Sequence, residues 1–374
     1  MRLDRSIKEW LLRLDMPIHG GRYYLNNCSI GIIDFSTTVN PLGVSEYVIK
    51  ALMNSIVGSD AIVEYPDPYA RILKRSIVEY LGVGIDKDNI LVGNGSTEII
   101  YTLVDSFISS KDKVAIVEPT FLEYAHASRR NDATIEHILM DKLRIDDGIE
   151  ERIASCKPKM LFICNPNNPT GILADDKYIE SILEQCYDDG TIVVLDESFI
   201  EFAGRSGHVK RVVEYDNLIV VRSLTKVFGL AGLRIGYCVA SKDVVDILQR
   251  VKVPWSVNAL AQIAGVEALN DSEYLERSRS LIEEERSFLL GTISSLDIGF
   301  EAMESDTNFF LIRSNIDSTV LKEMLLDRGI LVRDCSNFYG MHGSNYIRVS
   351  TRLRFENTML VDALRSICDD YGYM

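Results

Sequence analysis

A lysine and an acidic residue stand at the ends of two predicted strands. Lys226 follows the apolar run 217–221 and the segment Arg222-Ser223-Leu224-Thr225, and more apolar residues come after it. In an apolar site the pKa of a lysine falls, which makes its amine nucleophilic. Asp196 ends the run 191–195 and could pair with a protonated ring nitrogen. The competing interpretations are a solvated surface lysine and a carboxylate that caps the next segment.

Two loops rich in Gly, Asn and Pro could complete a ligand site. Gly93-Asn94-Gly95-Ser96-Thr97-Glu98 lies between a predicted strand and a helix, where glycines admit a ligand and hydroxyls favour a phosphate. An ordinary helix N-cap would use the same residue types. Asn165-Pro166-Asn167-Asn168-Pro169-Thr170-Gly171 follows the run 160–164, and this composition would also suit a simple turn.

Three arginines near the C-terminus indicate an anionic ligand. Arg333 and Arg348 lie in or just after apolar runs, and Arg352 follows closely. One such arginine would be ordinary. A planar guanidinium binds carboxylate and phosphate bidentately, so three on converging strands predict a small substrate that carries both groups.

The composition narrows the class of protein. A chain of 374 residues suggests about two domains and needs no metal or disulfide to stabilise its core. With 40 basic and 55 acidic residues, the net charge of −15 argues against a nucleic-acid or anionic-membrane surface. The seven cysteines form no CxxC pair, and their odd number argues against a disulfide framework. No segment has the pattern of a signal peptide or membrane span, so we expect a cytoplasmic protein.

Alternating strand and helix patterns must position these motifs. Short apolar runs occur at 90–92, 113–117, 160–164, 191–195 and 217–221, with helical patterns at 96–109, 121–130 and 175–188. This alternation predicts an α/β layer with a mostly parallel sheet, and ligands bind at the carboxyl ends of such strands.

The remaining patterns divide the chain into three parts. We predict an N-terminal arm over 1–45, a large cofactor-binding domain over 46–270, and a bridging helix with a small α+β domain over 271–374. The elements predicted outside the sheet are a helix at 45–57, a long helix at 271–296, strands at 308–313, 330–333 and 346–350, and helices at 317–328 and 355–369.

Each motif alone is modest evidence, but their order is specific. Over about residues 34–370 the chain resembles the fold-type-I pyridoxal-phosphate enzymes, the aspartate-aminotransferase-like superfamily. The resemblance implies an α/β fold, with a large domain on a mostly parallel central sheet and a smaller α+β C-terminal domain. It also implies that the cofactor is pyridoxal 5′-phosphate.

The resemblance assigns roles around the cofactor. Lys226 resembles the Schiff-base lysine, Asp196 the partner of the pyridinium nitrogen, and Asn168 the residue that hydrogen-bonds the phenolic oxygen. The residues similar to the family's phosphate cup are Gly95, Ser96, Thr97, Ser223 and Arg234.

Aromatic residues receive two further roles from the resemblance. Phe121 resembles the residue that stacks on the cofactor ring, with Tyr124 as the alternative. Tyr65 resembles the tyrosine that reaches the cofactor phosphate from a partner subunit. The resemblance therefore implies a homodimer with shared active sites.

Two branches of the family compete for this chain: histidinol-phosphate aminotransferases, and threonine-phosphate decarboxylases, which serve cobalamin biosynthesis. Similarity to the decarboxylases lies in His19-Gly20-Gly21 with Asp34-Phe35-Ser36 and Asn40-Pro41-Leu42-Gly43, in Asp196-Glu197-Ser198-Phe199, in Arg333-Asp334-Cys335-Ser336-Asn337-Phe338, and in Arg348-Val349-Ser350-Thr351-Arg352. The glycines after His19 could instead form only a turn, and Phe199 could be only core packing. The departures from the decarboxylase pattern are Arg22, Thr37-Thr38-Val39 and Ser198.

The expected enzyme is therefore a pyridoxal-phosphate-dependent carboxy-lyase acting on L-threonine O-3-phosphate. Phosphoserine is an alternative substrate, because the one methyl group by which it differs from phosphothreonine changes the free energy of substrate discrimination by only about 1–3 kcal/mol. Arg333 and His19 are expected to hold the phosphate, Arg348 and Asn40 to orient the carboxylate, and Arg352 to be a weaker phosphate candidate. The alternatives are a histidinol-phosphate aminotransferase and a non-catalytic protein that senses a ligand with this fold.

Overall fold

The computed structural model describes residues 7–22, 31–58, 60–295, 299–343 and 345–371. Its strands are β1 (Ile33–Asp34), β2 (Ile90–Gly93), β3 (Lys113–Glu118), β4 (Thr134–Leu139), β5 (Met160–Cys164), β6 (Ile192–Asp196), β7 (Leu218–Ser223), β8 (Gly236–Val239), β9 (Phe300–Ala302), β10 (Phe309–Ser314), β11 (Ile330–Leu331), β12 (Arg333–Asp334) and β13 (Tyr346–Ser350).

Twelve helices longer than a 3₁₀ turn are present in the described residues. They are α1 (Glu46–Val57), α2 (Asp60–Val63), α3 (Arg71–Leu81), α4 (Gly95–Phe107), α5 (Glu123–Arg130), α6 (Ile149–Cys156), α7 (Asp176–Asp188), α8 (Lys242–Val251), α9 (Ala259–Asn270), α10 (Ser272–Ser295), α11 (Ser318–Asp327) and α12 (Arg354–Tyr371). None of these helices is both long and apolar enough to cross a bilayer.

A seven-stranded sheet forms the centre of the large domain. Its order is β2-β8-β7-β6-β5-β3-β4, and only β8 runs antiparallel to its neighbours. β5, β6 and β7 consist mainly of β-branched and other apolar residues that are buried, because helices cover both faces. The carboxyl ends of β3, β5, β6 and β7 therefore lie at one edge, where the predicted motifs begin.

The C-terminal part forms a smaller α+β domain. β12-β13-β10-β9 make an antiparallel sheet, against which α11 and α12 pack. β1 pairs in parallel with β11, so the N-terminal segment is attached to this domain. The predicted strand 330–333 is divided at Val332, because its first half pairs with β1 and its second half with β13.

Helix α10 runs from the large domain to the small one. Near its start, Ser278 contacts Asn40 beside the central sheet. Further along, Glu285 accepts hydrogen bonds from Arg354 and Asn357 of the small domain. The predicted α/β fold class is confirmed, whereas the exact domain limits at residues 45 and 270 stay predictions.

Candidate active site

A cavity of about 880 Å³ opens at the carboxyl edge of the central sheet. The large domain, the small domain and the N-terminal segment all contribute to its walls. Eight of the residues singled out from the sequence line it: His19, Thr97, Phe121, Asn168, Lys226, Arg234, Arg333 and Arg348. The fold thus brings together groups that lie up to 329 positions apart in the chain, from residue 19 to residue 348.

Lys226 lies in the turn after β7 and supplies the only amine among the described residues that line the cavity. Its Nζ lies 5.7 Å from the centre of the Phe199 ring. Burial lowers the pKa of this amine to about 8, and the guanidinium groups of Arg348 and Arg234 act in the same direction. The neutral fraction near neutral pH is therefore larger than for an ordinary lysine, and the neutral amine can act as a nucleophile and a proton carrier.

Asp196, the last residue of β6, lies buried beneath the cavity. Its Oδ2 accepts a hydrogen bond from the Tyr124 hydroxyl at 2.7 Å, and its Oδ1 accepts one from the Ser198 backbone at 2.9 Å. Burial raises the pKa of the carboxyl, and the bonds from Ser198 and Tyr124 and the charge of Lys226 oppose that rise. The carboxylate is thereby held in one orientation, near the charge of Lys226.

The two candidate stacking aromatics occupy different places. Tyr124 is fully buried, donates to Asp196 and stacks on Phe162 with ring centres 4.8 Å apart. Phe121 lines the cavity. Of the two, only Phe121 is placed where its ring can contact a ligand, so the structure favours the first expectation over its alternative.

In the candidate phosphate cup, the guanidinium of Arg234 lies against Gly95. A Cβ on Gly95 would lie 2.5 Å from Nη2 of Arg234, so only glycine admits this approach. Burial lowers the pKa of Arg234, and within the described chain no carboxylate forms an ion pair with it. Thr97, in the first turn of α4, lines the same cavity. The positive charge of Arg234, beside the N-terminus of α4, suits an anionic group of a ligand.

Two other cup residues lie just outside the cavity lining. Ser223 is buried at the end of β7, with its hydroxyl 2.7 Å from that of Thr225. The backbone nitrogen of Ser96 would lie 2.7 Å from a Cβ on Gly236, so α4 begins in close contact with β8. These two residues shape the edge of the cup, beside Gly95.

Arg348 brings a buried positive charge to the opposite wall. Its guanidinium donates to Asn168 Oδ1 and, at 2.7 Å, to the carbonyl of Ser36. Its Nε is buried and has no hydrogen-bond partner among the described residues, and burial lowers the pKa of Arg348 to about 10. Neutral oxygens alone do not compensate the charge of a desolvated guanidinium, so Arg348 is suited to bind a ligand carboxylate.

Arg333 lies near Arg348 on the neighbouring strand. It donates to the carbonyl of Ile18 and to Asn337 Oδ1, both at 2.8 Å, and lies 4.9 Å from the centre of the Phe338 ring. The guanidinium is therefore in contact with both the N-terminal segment and the loop that follows β12.

The N-terminal segment reaches the same wall. A Cβ on Gly20 would lie 2.4 Å from the Ser36 carbonyl, and the backbone nitrogen of Gly21 donates to Ser36 Oγ at 2.8 Å. Because the Ser36 carbonyl also accepts from Arg348, the two glycines bring the segment that carries His19 against the residue that Arg348 contacts. A larger residue at position 20 would displace this segment.

Glu123, the partner of His19, and Tyr101, the partner of Glu123, are two residues that sequence reasoning missed. Glu123 Oε1 lies 2.6 Å from His19 Nε2, and its Oε2 accepts from the Tyr101 hydroxyl at 2.6 Å. Burial opposes ionisation of Glu123, yet the bonds from His19 and Tyr101 lower the pKa of this carboxyl below its usual value. The sequence held one signal for Glu123, which lies two residues after Phe121 of the Pro119-Thr120-Phe121 motif.

Comparison with known proteins identifies the family of this site. A family model described as "Aminotransferase class I and II" matches residues 30–364. The chain belongs to the aminotransferase class I and II family.

Relatives within the family carry two kinds of name. A histidinol-phosphate aminotransferase of Methanocaldococcus jannaschii is 35% identical over 328 residues, covering 85% of this chain and 84% of the relative. A protein of Caldanaerobacter subterraneus subsp. tengcongensis named "Putative threonine-phosphate decarboxylase" is 34% identical over 361 residues, covering 94% of each chain. Among solved structures, L-threonine-O-3-phosphate decarboxylase from Porphyromonas gingivalis matches with a TM-score of 0.76 and 29% identity, covering 90% of this chain and 99% of that one.

Members of the aminotransferase class I and II family depend on pyridoxal 5′-phosphate, and it is the cofactor of this chain. The residues of the cavity fit that group. Arg234, without a described acidic partner and approached closely by Gly95, suits its phosphate. The buried Asp196 suits its ring nitrogen, and the Lys226 amine suits its aldehyde.

Asn40 and Arg352 do not line the cavity, which corrects two expectations about substrate binding. The Asn40 amide donates to the Val227 carbonyl and to Ser278 Oγ, both at 2.7 Å, so it fastens the segment after Lys226 instead. Arg352 donates to Glu356 at 2.8 Å and to the carbonyl of Asp34. Internal hydrogen bonds thus hold both side chains away from a ligand.

Tyr65 also lies outside the cavity of its own chain. Its side chain is 82% exposed and its ring centre lies 5.3 Å from that of Trp255. An exposed tyrosine of this kind is available to another molecule, and its expected contact with a partner subunit stays a prediction.

Proposed function

We propose that the chain is a decarboxylase of a phosphorylated hydroxy-amino acid. The proposed reaction converts L-threonine O-3-phosphate to (R)-1-aminopropan-2-yl phosphate in cobalamin biosynthesis, with phosphoserine as an alternative substrate. The observation that carries the proposal is the contact of His19-Gly20-Gly21 with Ser36, whose carbonyl also binds Arg348. This arm, which is similar to that of the decarboxylases, thereby forms part of the substrate wall.

Two groups of residues are proposed to bind the two ends of the substrate. Arg348 binds the carboxylate, because its guanidinium is desolvated and has only neutral partners among the described residues. Arg333 and His19 bind the substrate phosphate, since both line the cavity beside the N-terminal segment. Holding an anion at each end fixes the substrate relative to Lys226, and this orientation determines which bond at Cα is cleaved.

Proton transfer is the proposed task of Lys226. The cofactor, when bound, supplies an electron sink for the pair left at Cα when a bond there breaks. Asp196, held in place by Tyr124 and Ser198, would keep a proton on the ring nitrogen of the cofactor. After CO₂ has left, Lys226 Nζ donates a proton to Cα, and its pKa of about 8 suits a group that both gives and regains a proton near neutral pH.

The named relatives support the proposed decarboxylase and also supply an alternative function. The relative with the decarboxylase name matches a larger share of this chain than the M. jannaschii aminotransferase does, 94% against 85%. Histidinol-phosphate aminotransferases, however, predominate among relatives of comparable identity. A histidinol-phosphate aminotransferase is therefore the second candidate function, and in that enzyme Lys226 would move a proton from Cα without loss of CO₂.

Product analysis distinguishes the two candidates. The holoenzyme is incubated separately with phosphothreonine, phosphoserine and histidinol phosphate, each with and without 2-oxoglutarate. We expect CO₂ and an amino alcohol phosphate from phosphothreonine without any keto acid. Formation of glutamate from 2-oxoglutarate and histidinol phosphate, with no CO₂ from either phosphoamino acid, would establish the aminotransferase instead.

The second proposal concerns assembly as a homodimer. Large apolar side chains of α1, α2 and the segment that follows are exposed, among them Met53, Val57, Val63 and Tyr65 at 62%, 85%, 78% and 82%. Several large exposed apolar side chains within one short stretch of chain are consistent with a subunit interface. We propose that a second copy covers them and that Tyr65 reaches the cofactor phosphate of that copy.

Mixing two inactive variants tests the shared site. Co-expression of Lys226→Ala and Tyr65→Ala chains should restore activity to about a quarter of wild type, because half of the dimers are hybrids and each hybrid has one intact site of two. Each variant expressed alone serves as the control. A monomer in sedimentation analysis, or dimers that regain no activity on mixing, would contradict the proposal.

A further inference from the structure

The loop formed by residues 335–341 supports the guanidinium of Arg333. Asn337 of this 335–341 loop accepts a hydrogen bond from Arg333 at 2.8 Å. The Phe338 ring lies 4.9 Å from the guanidinium and also lines the cavity. The position of Arg333 in the cavity therefore depends on where the 335–341 loop lies.

The other side of the 335–341 loop rests on the large domain. The ring of Tyr339 stacks on the imidazole of His137, in the edge strand β4, with centres 3.6 Å apart and planes 7° from parallel. The next residue, Gly340, has a φ of +80°, and a Cβ there would lie 2.5 Å from Leu139. Two adjacent residues thus make a close, shape-dependent contact between the domains.

His137 is itself tied to the opposite wall of the cavity. Its Nδ1 lies 3.2 Å from Glu118 Oε1, and Glu118 Oε2 accepts from the backbone of Thr120 at 2.8 Å. Thr120 directly precedes Phe121, which lines the cavity. Leu122 packs against the apolar residues of the 335–341 loop. The stacked pair therefore connects the Arg333 wall with the Phe121 wall.

We infer that Tyr339 and His137 are positioning residues for the substrate. Their stacked rings hold the 335–341 loop on the edge of the central sheet and set the distance of Arg333 from the cofactor side of the cavity. Neither residue lines the cavity, so each acts through the loop. The inference rests on the proposed function to the extent that Arg333 binds the substrate phosphate.

Kinetics of Tyr339 variants test the inference in the holoenzyme. Tyr339→Ala should raise KM for the phosphorylated substrate about two- to tenfold, the range expected for loss of an aromatic pair, with little change in kcat. The absorbance of the bound cofactor should stay as in wild type, because Asp196 and Lys226 are untouched. Tyr339→Phe keeps the ring and should retain the wild-type KM.

A double-mutant cycle identifies the partner. His137→Ala should raise KM to a similar extent, and adding it to Tyr339→Ala should cause little further change, because either change alone removes the stack. Amide hydrogen exchange of residues 335–341 should be faster in both single variants. Additive effects on KM, or a KM that stays at the wild-type value in Tyr339→Ala, would overturn the inference.

The two proposals fail separately. Exchange of the 335–341 loop is measured without substrate, and KM is measured with whichever phosphorylated amine the enzyme turns over. Absence of decarboxylation would thus refute the proposed reaction and leave the exchange result intact. Decarboxylation with a wild-type KM in Tyr339→Ala would refute only the positioning role.

Discussion

Replacement of Lys226 by alanine should abolish turnover, with a loss on the order of 10⁴- to 10⁶-fold, as for removal of a residue that acts covalently. No other amine lines the cavity among the described residues, so no neighbour can take over its role. The change removes both the attachment point of the cofactor and the proposed proton donor. Stopped assays of substrate loss measure the first effect, and the absorbance of the purified protein measures the covalent attachment.

Lys242→Ala is the matched control for this experiment. Lys242 is an exposed lysine paired with Asp86 at 2.6 Å, remote from the cavity lining, and its removal should leave activity unchanged. If Lys226→Ala kept the absorbance of a covalently attached cofactor, the attachment point would have to be another residue.

The Asp196→Asn variant should lower kcat about 10²- to 10³-fold, the cost typical of removing one preorganised electrostatic group. An amide of nearly the same shape fills the site but does not hold a proton on the ring nitrogen. Because Asp196 lies beneath the cavity and does not line its substrate wall, KM should change little. Steady-state kinetics with saturating cofactor separates kcat from KM.

Tyr124→Phe provides a graded comparison for the aspartate. It removes one hydrogen bond to Asp196 and keeps the stacked ring on Phe162, so its effect on kcat should be in the same direction and smaller. It should also shift the pH at which the absorbance of the bound cofactor changes. A variant at position 196 with wild-type kcat would disprove the assignment of this carboxylate to the ring nitrogen.

Sequence reasoning predicted which residues lie close together best where a motif follows a buried strand. The ends of β5, β6 and β7 meet at one edge of a parallel sheet, and so Asn168, Asp196 and Lys226 had to lie near one another. Arg348 lines the same cavity, and it drew attention in the sequence because a charged residue within an apolar strand is rarely left without a ligand or partner. Sequence reasoning was wrong for Asn40, because its partners Val227 and Ser278 are distant in sequence.

Elements with weak patterns were missed. β4 mixes Glu136 and His137 with apolar residues because it is an edge strand, and β8 is a four-residue strand that begins with glycine. Several helices, such as α3 and α9, were not predicted either. The contact of His137 with Tyr339 joins such a strand to the 335–341 loop and could not be foreseen from either one.

The hydrogen bonds of Asn40 connect the segment after Lys226 with helix α10. The Asn40 backbone donates to the carbonyl of Lys226 at 3.2 Å, and its side chain joins the next peptide to α10, the helix that leads into the small domain. Asn40 thereby ties the segment that carries Lys226 to the helix that leads into the domain of Arg333 and Arg348. The spacing between the Lys226 amine and the two guanidinium groups therefore depends in part on this single amide.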